Sequence, residues 1–180
     1  QLLKVCKEEG IKVLGIADHG SVEGVDAIRE LMAANDIIVF PGFEIASSEK
    51  VHFVCLFPET TTVTELNRYL GHLSLLDPED GIRPSKHSAE ELVRKVDEEL
   101  GGFIYAAHCT GRSGLLKQRL HHVWKSPHLR AAQIPGNIPD LKEIEGGFYA
   151  NVFNDRTPEY KRETPIAVIN AKDVEAPDTL

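Results

Sequence analysis

The chain has 180 residues, 42% of them apolar, and its 28 acidic against 20 basic side chains give a formal charge of −8. That length suits a single domain over residues 1–180 with a core of its own. The negative charge argues against broad coating of nucleic acid, although bound cations could still reverse the local sign for a phosphate substrate.

No apolar run nears the ~20 residues of a membrane span, so no membrane role is expected. The opening residues lack the basic-then-apolar pattern of a secretion signal. They read instead as the middle of an amphipathic helix, from which a longer natural chain is expected. Three cysteines without paired spacing, two of them (Cys55 and Cys109) inside apolar runs, point to buried free thiols and a reducing, cytoplasmic setting.

Residues 12–17 form a first apolar strand that runs into Asp18-His19-Gly20. Ser21 is placed to cap a helix carrying Val22, Val25, Ile28, Leu31 and Met32 at helical spacing. Residues 37–40 read as a strand by β-branched content, closing at Pro41-Gly42-Phe43-Glu44, and residues 51–57 as the next. Thr62 with Glu65 predicts a capping box for a helix bearing Leu66, Tyr69, Leu70 and Leu73. Residues 76–87 read as loop. Ser88 with Glu91 predicts a second capping box, over a helix buried through Leu92, Val93, Val96 and Leu100 and stopped by Gly101-Gly102. A strong strand follows at 103–107, then a weaker one at 131–134, a short helix near 139–145, and strands near 148–152 and 166–170. Alternation of this kind predicts an α/β fold whose parallel sheet is joined by crossover helices.

In such folds the loops at the carboxyl ends of the strands converge on one face. Asp18, His19, Glu44 and His108 fall at strand ends, with Asp173 and Glu175 just past the last strand. His52 is the exception, near the start of its strand. Imidazole with carboxylate suits Zn, Mn or Fe more than Ca or Mg. Several of each suggest more than one ion, an arrangement that clamps a phosphoryl group. Arg112, in the loop after His108, is placed to contact phosphate beside that centre. The other cations of 112–130 read first as a solvated face, and His72, His87, His121, His122 and His128 as surface residues. Taken singly, Asp18-His19 reads as a turn and His52 as a satisfied core histidine. The case lies in their joint occurrence.

Residues 15–24 (GIADHGSVEG) resemble the second motif of the PHP (polymerase and histidinol phosphatase) family. Pro41-Gly42-Phe43-Glu44 resembles its bridging-Glu motif, residues 51–57 its His-bearing strand, Ala106-Ala107-His108 its third motif and residues 168–177 its fourth. The resemblance implies a distorted (β/α)7 barrel, here incomplete at the N-terminus, holding two or three divalent metal ions. By that resemblance Glu44 bridges two ions, Asp173 holds the first, His52 and His108 complete the second, and His19 serves a third. Asp18 then steadies a ligand. Glu175 stands where the family normally has His. The family's opening His-x-His pair has no counterpart, because the chain starts in the helix that should follow it; weak metal binding is therefore expected of this stretch alone.

The implied function is metal-dependent hydrolysis of a phosphate ester, either a small phosphomonoester or a nucleic-acid end. The rival readings are a non-catalytic or regulatory PHP-like module of a larger polymerase- or ATPase-associated protein, and hydrolysis of a non-phosphate bond. Further domains of the same polypeptide would be the partners.

Overall fold

The computed structural model describes residues 1–75 and 83–170. Its elements in chain order are α1 (Leu2–Glu8), β1 (Val13–His19), α2 (Val25–Ala33), β2 (Ile38–Ala46), β3 (His52–Leu56), α3 (Val63–His72), α4 (Ala89–Arg94), β4 (Phe103–Ala106), α5 (His121–Trp124), β5 (Ala131–Ile134), α6 (Phe148–Phe153) and β6 (Ala167–Asn170). A π-helical turn, Lys95–Glu99, prolongs α4, and a 3-10 helix, Ile138–Glu143, follows β5. The expected loop at 76–87 lies partly, and Asp173 and Glu175 lie wholly, outside the described residues. Among the described residues no helix is long and apolar enough to cross a membrane.

The six strands make one curled half-barrel sheet in sequence order, β1 to β6. Pairs β1–β2, β4–β5 and β5–β6 are parallel. The sheet is not wholly parallel as expected, because β3 runs antiparallel to both β2 and β4. The reason is local. Only residues 47–51 join β2 to β3, whereas a parallel crossover needs a dozen or more. Ser47 closes this short connection: its amide donates to the Val51 carbonyl at 2.8 Å, and its hydroxyl accepts from the Val51 amide. Lys50 takes a positive φ of 64° at the bend.

Alternation sends one face of each strand into the core and the other toward the concave side. Phe43, Ile45, Phe53, Cys55, Ile104, Ala106, Ala132 and Ile134 are all buried, and they share one cluster with Leu66, Leu70, Leu92, Val93, Val96, Val123 and Trp124 from the helices. Each large member contributes about 1.5–3 kcal/mol by leaving water. A smaller cluster around Cys6, Met32, Ile37 and Val39 seats α1 and α2 on β1 and β2. The three cysteines are free and buried, and burial raises the Cys109 thiol to about 12. Cys109 is thus an inert core residue.

Both expected capping boxes are present, Thr62 with Glu65 and Ser88 with Glu91. Gly101 at φ 65° ends the second helix. Three local expectations are corrected. Helix α2 starts at Val25, not after Ser21, because Ser21 bridges back to Asp18 and Gly24 takes the left-handed N-cap. Strand β2 continues through Pro41-Gly42, so Glu44 sits within it and not beyond it. Residues 148–153 form helix α6 and not a strand: Gly147 turns the chain, and Tyr149, Ala150 and Val152 are buried along one side.

Candidate metal centre

Strand register brings the first pair together. His19 and Glu44 are partners across the parallel β1–β2 pair, so their side chains leave the same, concave face. Imidazole Nε2 of His19 lies 3.3 Å from Oε1 of Glu44. Across the antiparallel β2–β3 pair, His52 faces Ala46, one diagonal step from Glu44 on that same face. Nδ1 of His52 lies 2.7 Å from the same carboxylate oxygen.

The reversal of β3 resolves the anomaly of His52. A residue at the start of an antiparallel strand stands at the same end of the sheet as the carboxyl ends of its neighbours. The backbone holds it there on both sides: the His52 amide donates to the Ser113 carbonyl, and the Ala107 amide donates to the His52 carbonyl, each at 3.1 Å.

His108 lies two residues past the end of β4, in a turn at φ 29°. Its ring meets that of His52 edge-on, with centroids 5.1 Å apart, and the His19 ring lies 5.8 Å from His52 on the other side. Nδ1 of His108 is buried without a hydrogen-bond partner among the described residues, a cost that a ligand would remove.

Gln133, on β5, fixes this turn. Its side-chain oxygen accepts from the His108 amide at 3.1 Å, and its main-chain carbonyl accepts from the Cys109 amide at 2.9 Å. Sequence reasoning missed Gln133. A polar residue within a short apolar strand, buried to 7% exposure, is the signal that could have found it.

Ligand atoms of His19, Glu44 and His52 lie within 4.8 Å of one another. Burial pushes the Glu44 carboxyl up, but the hydrogen bond with His52 and the attraction of His19, His52 and His108 outweigh it, so its pKa lies below the ordinary value. The group is a carboxylate at neutral pH, as a metal ligand must be. Three imidazoles around one partly buried carboxylate, with an orphaned ring nitrogen among them, fit a divalent ion with nitrogen–oxygen preference.

Asp18 does not join this cluster. Its side chain is exposed and accepts the His19 amide at 2.8 Å, which holds the turn after β1. Arg112 is exposed on the loop whose Ser113 carbonyl binds His52, and it makes no ion pair with a described residue. Lys117 and Arg119 are paired with Glu145, and Arg130 with Asp97, so much of the basic segment is held by structural partners.

No protein-family model and no curated protein sequence matches the chain. Solved structures do. PfuEndoQ, a lesion-specific endonuclease of Pyrococcus furiosus, superposes with a TM-score of 0.63 at 16% identity over 98% of this chain. The chain spans only 43% of that protein's length. A candidate metal-dependent phosphoesterase of Bifidobacterium adolescentis superposes at 0.53 with 16% identity, over 86% of this chain and 77% of that one. At such identities the likeness shows a shared fold: the half-barrel sheet superposes on those two structures.

Proposed function

We propose that this chain carries part of the metal centre of a PHP-type phosphoesterase, which hydrolyses a small phosphomonoester or a nucleic-acid end. One observation carries the reading. His19, Glu44, His52 and His108, from three strands and one turn, crowd one end of the sheet around a single carboxylate. A core does not need this arrangement, since imidazoles and a carboxylate stabilise a buried face less well than apolar groups.

The residues that would hold metal are those four, joined by Asp173 and Glu175 as the sequence motif proposes. Divalent ions held there would polarise a phosphoryl oxygen and supply a nucleophile at neutral pH. The chain's own groups would do the rest. Glu44 stays ionised and fixes the orientation of the His52 ring by accepting from Nδ1. Gln133 holds the strained turn that aims His108. Asp18 anchors the His19 backbone and is a positioning residue. Arg112 would offer a guanidinium to the phosphate from the adjoining loop, where its planar fork matches two oxygens at once.

The test is metal analysis of the full-length protein, with phosphatase and single-strand nuclease assays on wild type and Glu44→Ala. Hydrolysis that depends on Mn or Zn and is lost in the variant supports the reading. Equal activity in both would sink it. Metal bound without any hydrolysis would favour the non-catalytic module.

A further inference from the structure

A second charged feature lies at the other end of the sheet. Lys125, Pro127, Arg130, Lys161, Arg162, Glu163, Thr164 and Pro165 surround a cavity of about 650 Å³. Arg130 immediately precedes β5, and Pro165 lies just ahead of β6. Because β5 and β6 are parallel, the cavity sits at their amino ends, away from the end that gathers the histidines. Four residues of strand separate the two levels, roughly 13 Å. A small phosphomonoester could not span both.

The charge here is opposite to that of the chain as a whole. Four of the lining residues are cations and one, Glu163, is an anion, in a molecule of net charge −8. Two cations are pre-set. Arg162 is tied by Nη2 to the Ser126 and Leu129 carbonyls and by Nε to the Thr164 carbonyl. Its Nη1 is buried without a hydrogen-bond partner among the described residues. Arg130 is steadied by Asp97 at 2.8 Å. Lys125 and Lys161 are exposed and make no ion pair with a described residue, so both are free to close on a ligand. Asp97 offsets the charge of Arg130 and Asp155 attracts Arg162, so it is chiefly the charge of Lys125 and Lys161 that a bound anion would balance.

We propose that this cavity is a binding site for a compact diphosphate-class anion, separate from the metal centre. The volume falls within the ~300–1,000 Å³ of small-ligand pockets, which favours a free phosphorylated small molecule over a strand of nucleic acid. Arg130 would supply a fixed guanidinium to the phosphate oxygens, Arg162 a positive charge in the wall, and the two lysines mobile charge.

The test is a calorimetric titration of the full chain with inorganic pyrophosphate, in chelator and at low salt, so that the metal centre is silent. Saturable binding is expected in wild type and equally in Glu44→Gln. It should weaken about tenfold or more in the Lys125→Ala/Lys161→Ala double variant, each lost charge-assisted contact being a strong one. Glu163→Gln removes the carboxylate of the lining and should tighten binding, a gain that misfolding cannot imitate. Absence of saturable binding, or a double variant that equals wild type, overturns the proposal. So does loss of binding in Glu44→Gln, which would assign the anion to the metal centre. A single-stranded oligonucleotide that displaces pyrophosphate and binds more tightly would overturn the compact-anion assignment.

Discussion

Nδ1 of His52 lies 2.7 Å from Oε1 of Glu44, although the chain reverses direction in the residues between them. A crossover to a parallel strand would have put His52 at the far end of the sheet. The hairpin is therefore what brings the cluster together: it lets two neighbouring strands present Glu44 and His52 at one level without an intervening helix.

Glu44→Gln keeps the size of the side chain and removes its charge. The amide can still meet one imidazole, but it cannot attract the three rings together. Metal affinity in the full-length protein is expected to fall by more than the roughly 10–100-fold seen when only a partner of a ligand is changed. Isothermal titration with Mn or Zn reads this directly. Affinity within a factor of two of wild type would remove Glu44 from the centre.

Gln133→Ala leaves the His108 amide without its acceptor and releases the turn at positive φ. A loss of about 1–3 kcal/mol is expected for an amide left unsatisfied near the core. For a chain of this size that lowers Tm by roughly 2–4 °C per kcal/mol. Metal affinity should fall with it, because His108 loses its aim, whereas Gln133→Glu, which keeps an acceptor at that position, should recover much of the stability. Unchanged melting would show that the Cys109 amide bond to the residue 133 carbonyl holds the turn alone.

Much of this was legible in sequence, and the failures share a cause. Both capping boxes were readable because their signal is local, four residues with one geometry. Apolar runs marked β1, β2, β3 and β4, and motif order pointed to His19, Glu44, His52 and His108 as one set. Direction was not readable from pattern, because period-2 alternation is the same for either pairing; only the short 47–51 connection carried the information. Pro41-Gly42 looked like a strand end, yet Pro41 forfeits only a donor and Gly42 is there for a close approach. Helix α6 was misread because Phe148, Tyr149, Val152 and Phe153 are as common in strands as in buried helices. Gln133 acts through tertiary contacts, and its one local trace is a polar side chain inside the apolar run 131–134.

Glu99 is the carboxyl whose titration reads the surface network of His72, Arg94 and Lys95. Its carboxyl is held down from 4.5 to about 2, first by a hydrogen bond with His72, then by one with Lys95, and with help from Arg94, against an opposing effect of burial. A carboxyl with a depressed folded pKa stabilises the fold above its unfolded value, and that contribution is lost as pH falls from 4.5 through about 2. An NMR titration of the Glu99 side chain should give a midpoint near the lower value in wild type. In His72→Gln the midpoint should move up, since the largest cause is removed. A wild-type midpoint at the ordinary carboxylate value would show that the network does not form.

Gly42 and Gly15 share the concave face and offer a sharper contrast. A methyl carbon on Gly42 would stand 1.9 Å from the Cys55 carbonyl oxygen, which is backbone and belongs to the neighbouring strand. A methyl carbon on Gly15 would stand 3.1 Å from Cδ1 of Leu56, the tip of a side chain that can rotate. Gly42→Ala must therefore part β2 from β3 and is expected to cost more than about 4 kcal/mol, the range in which a single change unfolds many proteins. Gly15→Ala should stay within about 1 kcal/mol, the repacking cost being offset by a less flexible unfolded chain. Because Glu44 and His52 lie on the two strands that Gly42→Ala would separate, metal affinity should collapse in that variant and persist in Gly15→Ala. Chemical denaturation and metal titration of the pair read both effects, and a stable Gly42→Ala protein with an intact centre would refute the close β2–β3 approach on which the geometry of the site depends.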